Sequence, residues 1–179
     1  MLDWHRLNGY AILTLLLFRI IWGLVGGGTA RFTSFIRRPA AVVSYVRHGM
    51  FDRSKPPLPG HNPLGGWNVL LMLGLLFSQV FLGFFAIDID GMESGPFSYL
   101  VDFDTGRMAA EWHEWVFTAL QIIVLAHIAA VVFYLVYRRE NLVGAMITGS
   151  RTVSGEKPQL TFAPVWRAVL VLLLCGMLV

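Results

Sequence analysis

Five histidines, His5, His48, His61, His113 and His127, are the residues of this chain best suited to chemistry. A neutral imidazole can ligate a transition metal, pass a proton or hydrogen-bond a neighbour, and spacing separates these uses. His113 and His127 stand fourteen residues apart in one apolar stretch. That is almost four helical turns, so both project from nearly the same face, roughly 21 Å apart along the axis. His5 and Arg19 repeat the separation near the N-terminus. If these stretches cross a bilayer, each pair places one group towards either surface, and ionisable groups at such depths are costly and usually functional. Zinc gathers four ligands at one locus, which residues spread over two depths do not provide.

The elements that must position these residues follow from composition. Of 179 residues, 56% are hydrophobic and only 14% charged, whereas a soluble domain carries about 25% charged residues. An ordinary water-soluble globule is excluded, and the apolar surplus must meet lipid. Four apolar stretches stand out, Asn8–Gly26, Leu64–Ile87, His113–Tyr137 and Val165–Val179. A crossing needs about 20 apolar residues, so three suffice and the fourth is slightly short where the chain stops. The expected fold is an all-α integral membrane protein, a transmembrane helical bundle of three core helices plus a C-terminal apolar helix. Residues 1–150 form the expected membrane domain, and 151–179 a linker with a C-terminal transmembrane helix. The single cysteine, Cys175, excludes an internal disulfide framework, a Cys-rich zinc or iron-sulfur site, and covalent c-type haem attachment. The N-terminus lacks the features of a secretory signal peptide.

Charge gives the sidedness. Arg31, Arg37, Arg38, Arg47, Arg53 and Lys55 stand against Asp52 after the first stretch, and Arg138, Arg139, Arg151 and Lys157 follow the third. The intervening loop holds Asp88, Asp90, Glu93, Asp102, Asp104 and Glu111 against Arg107. The basic loops are therefore cytoplasmic and the N-terminus lies outside. Such a start carries Arg6 across the bilayer without a signal peptide, a difficulty that a preceding transmembrane helix would remove. Because the net charge of +3 follows membrane topology, nucleic-acid binding is not expected. The stretch from Ala30 to Arg47 mixes aromatics with cations and reads as an amphipathic segment on the inner leaflet.

The first and third helices then run in the same direction, which brings His5 level with His113 and Arg19 level with His127. His5 and His113 can be the two axial ligands of one haem near the outer face. Gly9, one turn beyond His5, would relieve crowding beside the macrocycle, and Arg19 suits a haem propionate. His127 has an inner position with no obvious partner in the chain. His61, at the start of the second stretch beside Pro63, could bond a propionate or a quinone carbonyl or act as an axial ligand; the plainer reading is a polar helix start. His48 lies in the basic loop and needs no special role. Taken singly, His113 and His127 could each be an interhelical hydrogen bond.

The residues resemble the prokaryotic cytochrome b561 family, which includes the b-type cytochrome subunits of nickel-iron hydrogenases. The resemblance runs through His5 with Gly9-Tyr10, Arg19-Ile20-Ile21-Trp22-Gly23, Ala30-Arg31-Phe32, Gly60-His61-Asn62-Pro63-Leu64-Gly65, His113-Glu114, His127, Glu140-Asn141-Leu142-Val143 and Ala145-Met146-Ile147-Thr148-Gly149, over about residues 1–150. It implies four core helices and two b haems, one held by the positions of His5 and His113, the other by His127 with a histidine of the family's first helix. That helix has no counterpart here, so the chain is expected to begin one helix late, to have lost an inner ligand, or to take one from His61 or another subunit. The implied function is a multi-pass b-type cytochrome of the bacterial inner membrane. It would carry electrons between quinone and a periplasmic c-type cytochrome or hydrogenase-like subunit. The alternative is a haem-free membrane anchor for a partner complex. A proton-coupled transporter is disfavoured because the acidic residues are confined to the outer loop.

Overall fold

The computed structural model describes residues 2–54, 60–90, 93–150 and 160–179; Lys55, Arg151, Lys157 and most of the expected linker lie outside the described residues. In chain order the α-helices are α1 (Leu2–Val25), α2 (Phe32–Phe35), α3 (Pro39–His48), α4 (Pro63–Phe85), α5 (Phe103–Val136), α6 (Leu142–Thr148) and α7 (Val165–Leu178). Three of them, α1, α4 and α5, are long and apolar enough to cross a membrane. Their outer faces stay apolar: Ile122 is 62% and Leu125 66% exposed, a surface that only lipid accommodates at this scale. The protein is an all-α membrane protein of the transmembrane-bundle class. The 14 residues of α7 reach only about 21 Å, shorter than the hydrocarbon core of about 30 Å.

Helix limits differ from the apolar stretches because capping, not hydropathy, decides where a helix begins. α1 already includes His5. α5 starts at Phe103, ten residues ahead of the apolar stretch, because Asp102 accepts from the Thr105 backbone N–H at 2.9 Å and from its hydroxyl at 2.8 Å, satisfying an otherwise orphaned donor of the first turn. α4 begins at Pro63, as the sequence leads one to expect, and Asn62 Oδ1 accepts from Gly65 N–H at 2.7 Å; proline loses nothing there, since its missing N–H would have had no helical partner.

Two compact units make up the structure. The first comprises Met1–Trp22, Leu71–Ile123 and Pro164–Val179. Within it the loop after α4 folds back on the helix end: Gly95 N–H donates to the Ala86 carbonyl at 2.7 Å and Phe97 N–H to that of Phe84 at 2.8 Å. A Cβ on Gly95 would stand 2.3 Å from the Gly83 carbonyl oxygen, so only glycine permits this approach. The second unit comprises Gly23–Leu70 and Val124–Ala163. Here Tyr134, buried at 8% exposure, shares a hydrogen bond with the Tyr45 hydroxyl and accepts from Asn62 Nδ2 at 2.7 Å. Arg138 pairs with Glu140 at 2.9 Å and donates to the Asp52 carbonyl. These bonds fasten the basic segment carrying α2 and α3 to the C-terminal end of α5.

Candidate functional site

His5 projects from α1 and His113 from α5, and the two rings lie edge to face with centres 5.9 Å apart and planes at 71°. Metal–imidazole bonds of about 2 Å, with each ring centre about 1 Å behind its nitrogen, put two rings that share one metal about 6 Å apart. The observed separation is one at which both rings would hold a single metal.

His113 is also oriented for ligation. Its Nδ1 lies 2.9 Å from the Gln79 backbone carbonyl on α4, which can only accept. The proton therefore sits on Nδ1, and Nε2 keeps its lone pair for a metal, the usual arrangement behind a ligating histidine. One turn further along α4, a Cβ on Gly83 would come within 3.1 Å of His113 Cε1, so the ring occupies space that a side chain would take. A Cβ on Gly9 would meet nothing within 4 Å, leaving α1 open one turn beyond His5.

The other residues singled out from the sequence have their own settings. His127 Nδ1 lies 3.5 Å from Asn68 Nδ2, at the outer limit of a hydrogen bond. His61 is exposed at the start of α4, its ring centre 4.9 Å from that of Phe35. Arg19 is partly buried on α1, and His48 is exposed at the end of α3. Among the described residues no three of His, Cys, Asp and Glu cluster as a polydentate metal site would require. What the structure brings together is therefore a two-imidazole site.

Sequence reasoning did not find Gln79, Gly83, Asn68 or the setting of Arg6, whose Nη2 donates to the Ser94 carbonyl at 2.6 Å. Gln79 acts through its main chain, which every residue possesses, so nothing in its identity signals the role. Gly83 offered a signal, since a glycine inside a helix often marks a close approach.

The family model of prokaryotic cytochrome b561 matches residues 1–149. The chain belongs to the prokaryotic cytochrome b561 family. No curated protein and no solved structure gives a match. As a cytochrome b561 the protein is a multi-pass membrane b-type cytochrome of electron transfer, in contact with the lipid bilayer and binding haem b. The facing imidazoles, the fixed tautomer of His113 and the open flank of Gly9 suit that cofactor.

Proposed function

We propose that this cytochrome b561 carries electrons between the quinone pool and a periplasmic redox partner, a c-type cytochrome or a hydrogenase-like subunit, across the bacterial inner membrane. The observation that supports this reading most is the His5–His113 pair, 5.9 Å apart, with Gln79 holding the proton on His113 Nδ1. His5 and His113 would hold the outer haem through their imidazole nitrogens. Haem, when bound, supplies one-electron exchange at an iron whose potential its axial ligands and their surroundings set. With both imidazoles engaged, this chain would bind and orient the cofactor for electron exchange. Gly9 gives the macrocycle room.

Arg19 binds a propionate through its fork of donors. His127 is the inner-haem ligand within this chain, and its partner is His61 or a histidine of another segment. If His61 is not that partner, it serves a propionate or a quinone carbonyl. Residues 1–150 form the cytochrome domain, with 151–179 a linker and C-terminal helix. The test is a reduced-minus-oxidised spectrum of the purified protein and of His113→Ala. A b-type spectrum that collapses in the variant supports the reading; full assembly without iron would make the protein a haem-free anchor.

A further inference from the structure

We propose that Arg6 is a carboxylate anchor beside the His5–His113 pair, binding one propionate of the haem that those histidines ligate. The proposal rests on the bis-histidine reading and extends it to a residue outside the ligand set.

Among the described residues, two buried side-chain polar atoms have no hydrogen-bond partner, Arg6 Nε and Gln79 Oε1. Buried polar groups are nearly always paired, so each such exception calls for an explanation. Both exceptions belong to residues linked to the imidazole pair. Arg6 follows His5 directly on α1, and Gln79 is the residue whose carbonyl accepts from His113 Nδ1 at 2.9 Å.

The guanidinium is held for this use. Its Nη2 donates to the Ser94 carbonyl at 2.6 Å, and Ser94 sits in the loop clamped to α4 through Gly95 and Phe97. With Nη2 so engaged, Nε is a fixed, buried, charged donor. The acceptor that matches a guanidinium edge is a carboxylate oxygen, and no Asp or Glu among the described residues pairs with Arg6. Gln79 Oε1 needs a donor, which a protonated carboxyl or a water bound to a carboxylate supplies. A role as a strut for the Ser94 loop accounts for Nη2 alone and leaves Nε unexplained.

The experiment compares the full chain, Arg6→Gln, Arg6→Lys and His113→Ala, purified in detergent, by haem-to-protein ratio, haem loss to an excess of a haem-scavenging protein, and midpoint potential. Arg6→Gln is expected to keep a b-type spectrum, to retain haem roughly tenfold more weakly, as loss of one charged hydrogen bond predicts, and to show a lowered potential, because a positive charge no longer opposes the ferric state. Arg6→Lys restores most of the potential but not the retention. Unchanged potential and retention in Arg6→Gln would overturn the proposal, as would a loss of thermal stability with the potential unmoved, which is the signature of a strut. If Arg6→Gln does not fold, wild-type retention in Arg6→Lys overturns it. A full chain without haem, or a haem-replete His113→Ala, refutes the bis-histidine reading itself.

Discussion

His5 on α1 and His113 on α5 are far apart in the chain, yet their ring centres stand 5.9 Å apart. An iron held by both imidazoles would lose its site with either one. His5→Ala and His113→Ala are therefore expected to remove the same b-type absorbance, and the double variant to lose no more than either single one, because residues acting as one unit are not additive. Reduced-minus-oxidised difference spectra of the three variants check this. Independent, additive losses would mean that the two histidines serve different centres.

Gly83→Ala separates haem binding from helix stability. Alanine in place of a helical glycine favours the helix by about 1 kcal/mol, but its Cβ would stand 3.1 Å from His113 Cε1, so the ring must yield by a few tenths of an ångström. The variant should be no less stable by thermal unfolding while retaining haem more weakly and at an altered potential. An unaltered spectrum and potential would show that the His113 ring is not held against α4.

His127→Ala tests the inner site apart from the outer one. The haem-to-protein ratio is expected to fall while the potential and spectrum of the His5–His113 haem persist. A ratio unchanged by this substitution, measured as the pyridine haemochrome, would remove His127 from the ligand set.

The Asp102 carboxyl is held below its ordinary range by the Thr105 backbone N–H first and the Thr105 hydroxyl second. A carboxyl depressed in the folded state lends stability that is fully present above its unfolded value of about 3.9 and is lost as pH falls through the folded value. The first turn of α5 should therefore fray as the medium is acidified below about pH 4. Asp102→Asn, which keeps an acceptor without the charge, should flatten this dependence. Amide exchange at the start of α5 across that pH range reports it.

Tyr134→Phe should destabilise the second unit by about 1–3 kcal/mol, because Tyr45 and Asn62 both lose their shared partner. Thermal unfolding in detergent measures the change. Haem content at the His5–His113 site should be untouched.

Hydropathy and charge made the three crossing helices legible, since lipid imposes both run length and loop charge. Helical spacing and loop charge raised the expectation that His5 and His113 share a level, and their ring centres stand 5.9 Å apart. The start of α5 was hidden, as it depends on Asp102 and Thr105 and not on apolar residues. Gln79 was hidden for a different reason: its contribution is a carbonyl oxygen common to all residues. Asn68 near His127 and the unmatched Nε of Arg6 were hidden because they depend on how side chains pack between helices, which a single chain's periodicity does not specify.

The central claim is that one iron joins His5 to His113. Its most direct measurement is the low-temperature electron paramagnetic resonance spectrum of the oxidised protein beside that of His113→Ala, with haem quantified in both. The bis-histidine account predicts a low-spin ferric signal that disappears in the variant together with the haem at that site. A low-spin signal of full intensity in His113→Ala would contradict it.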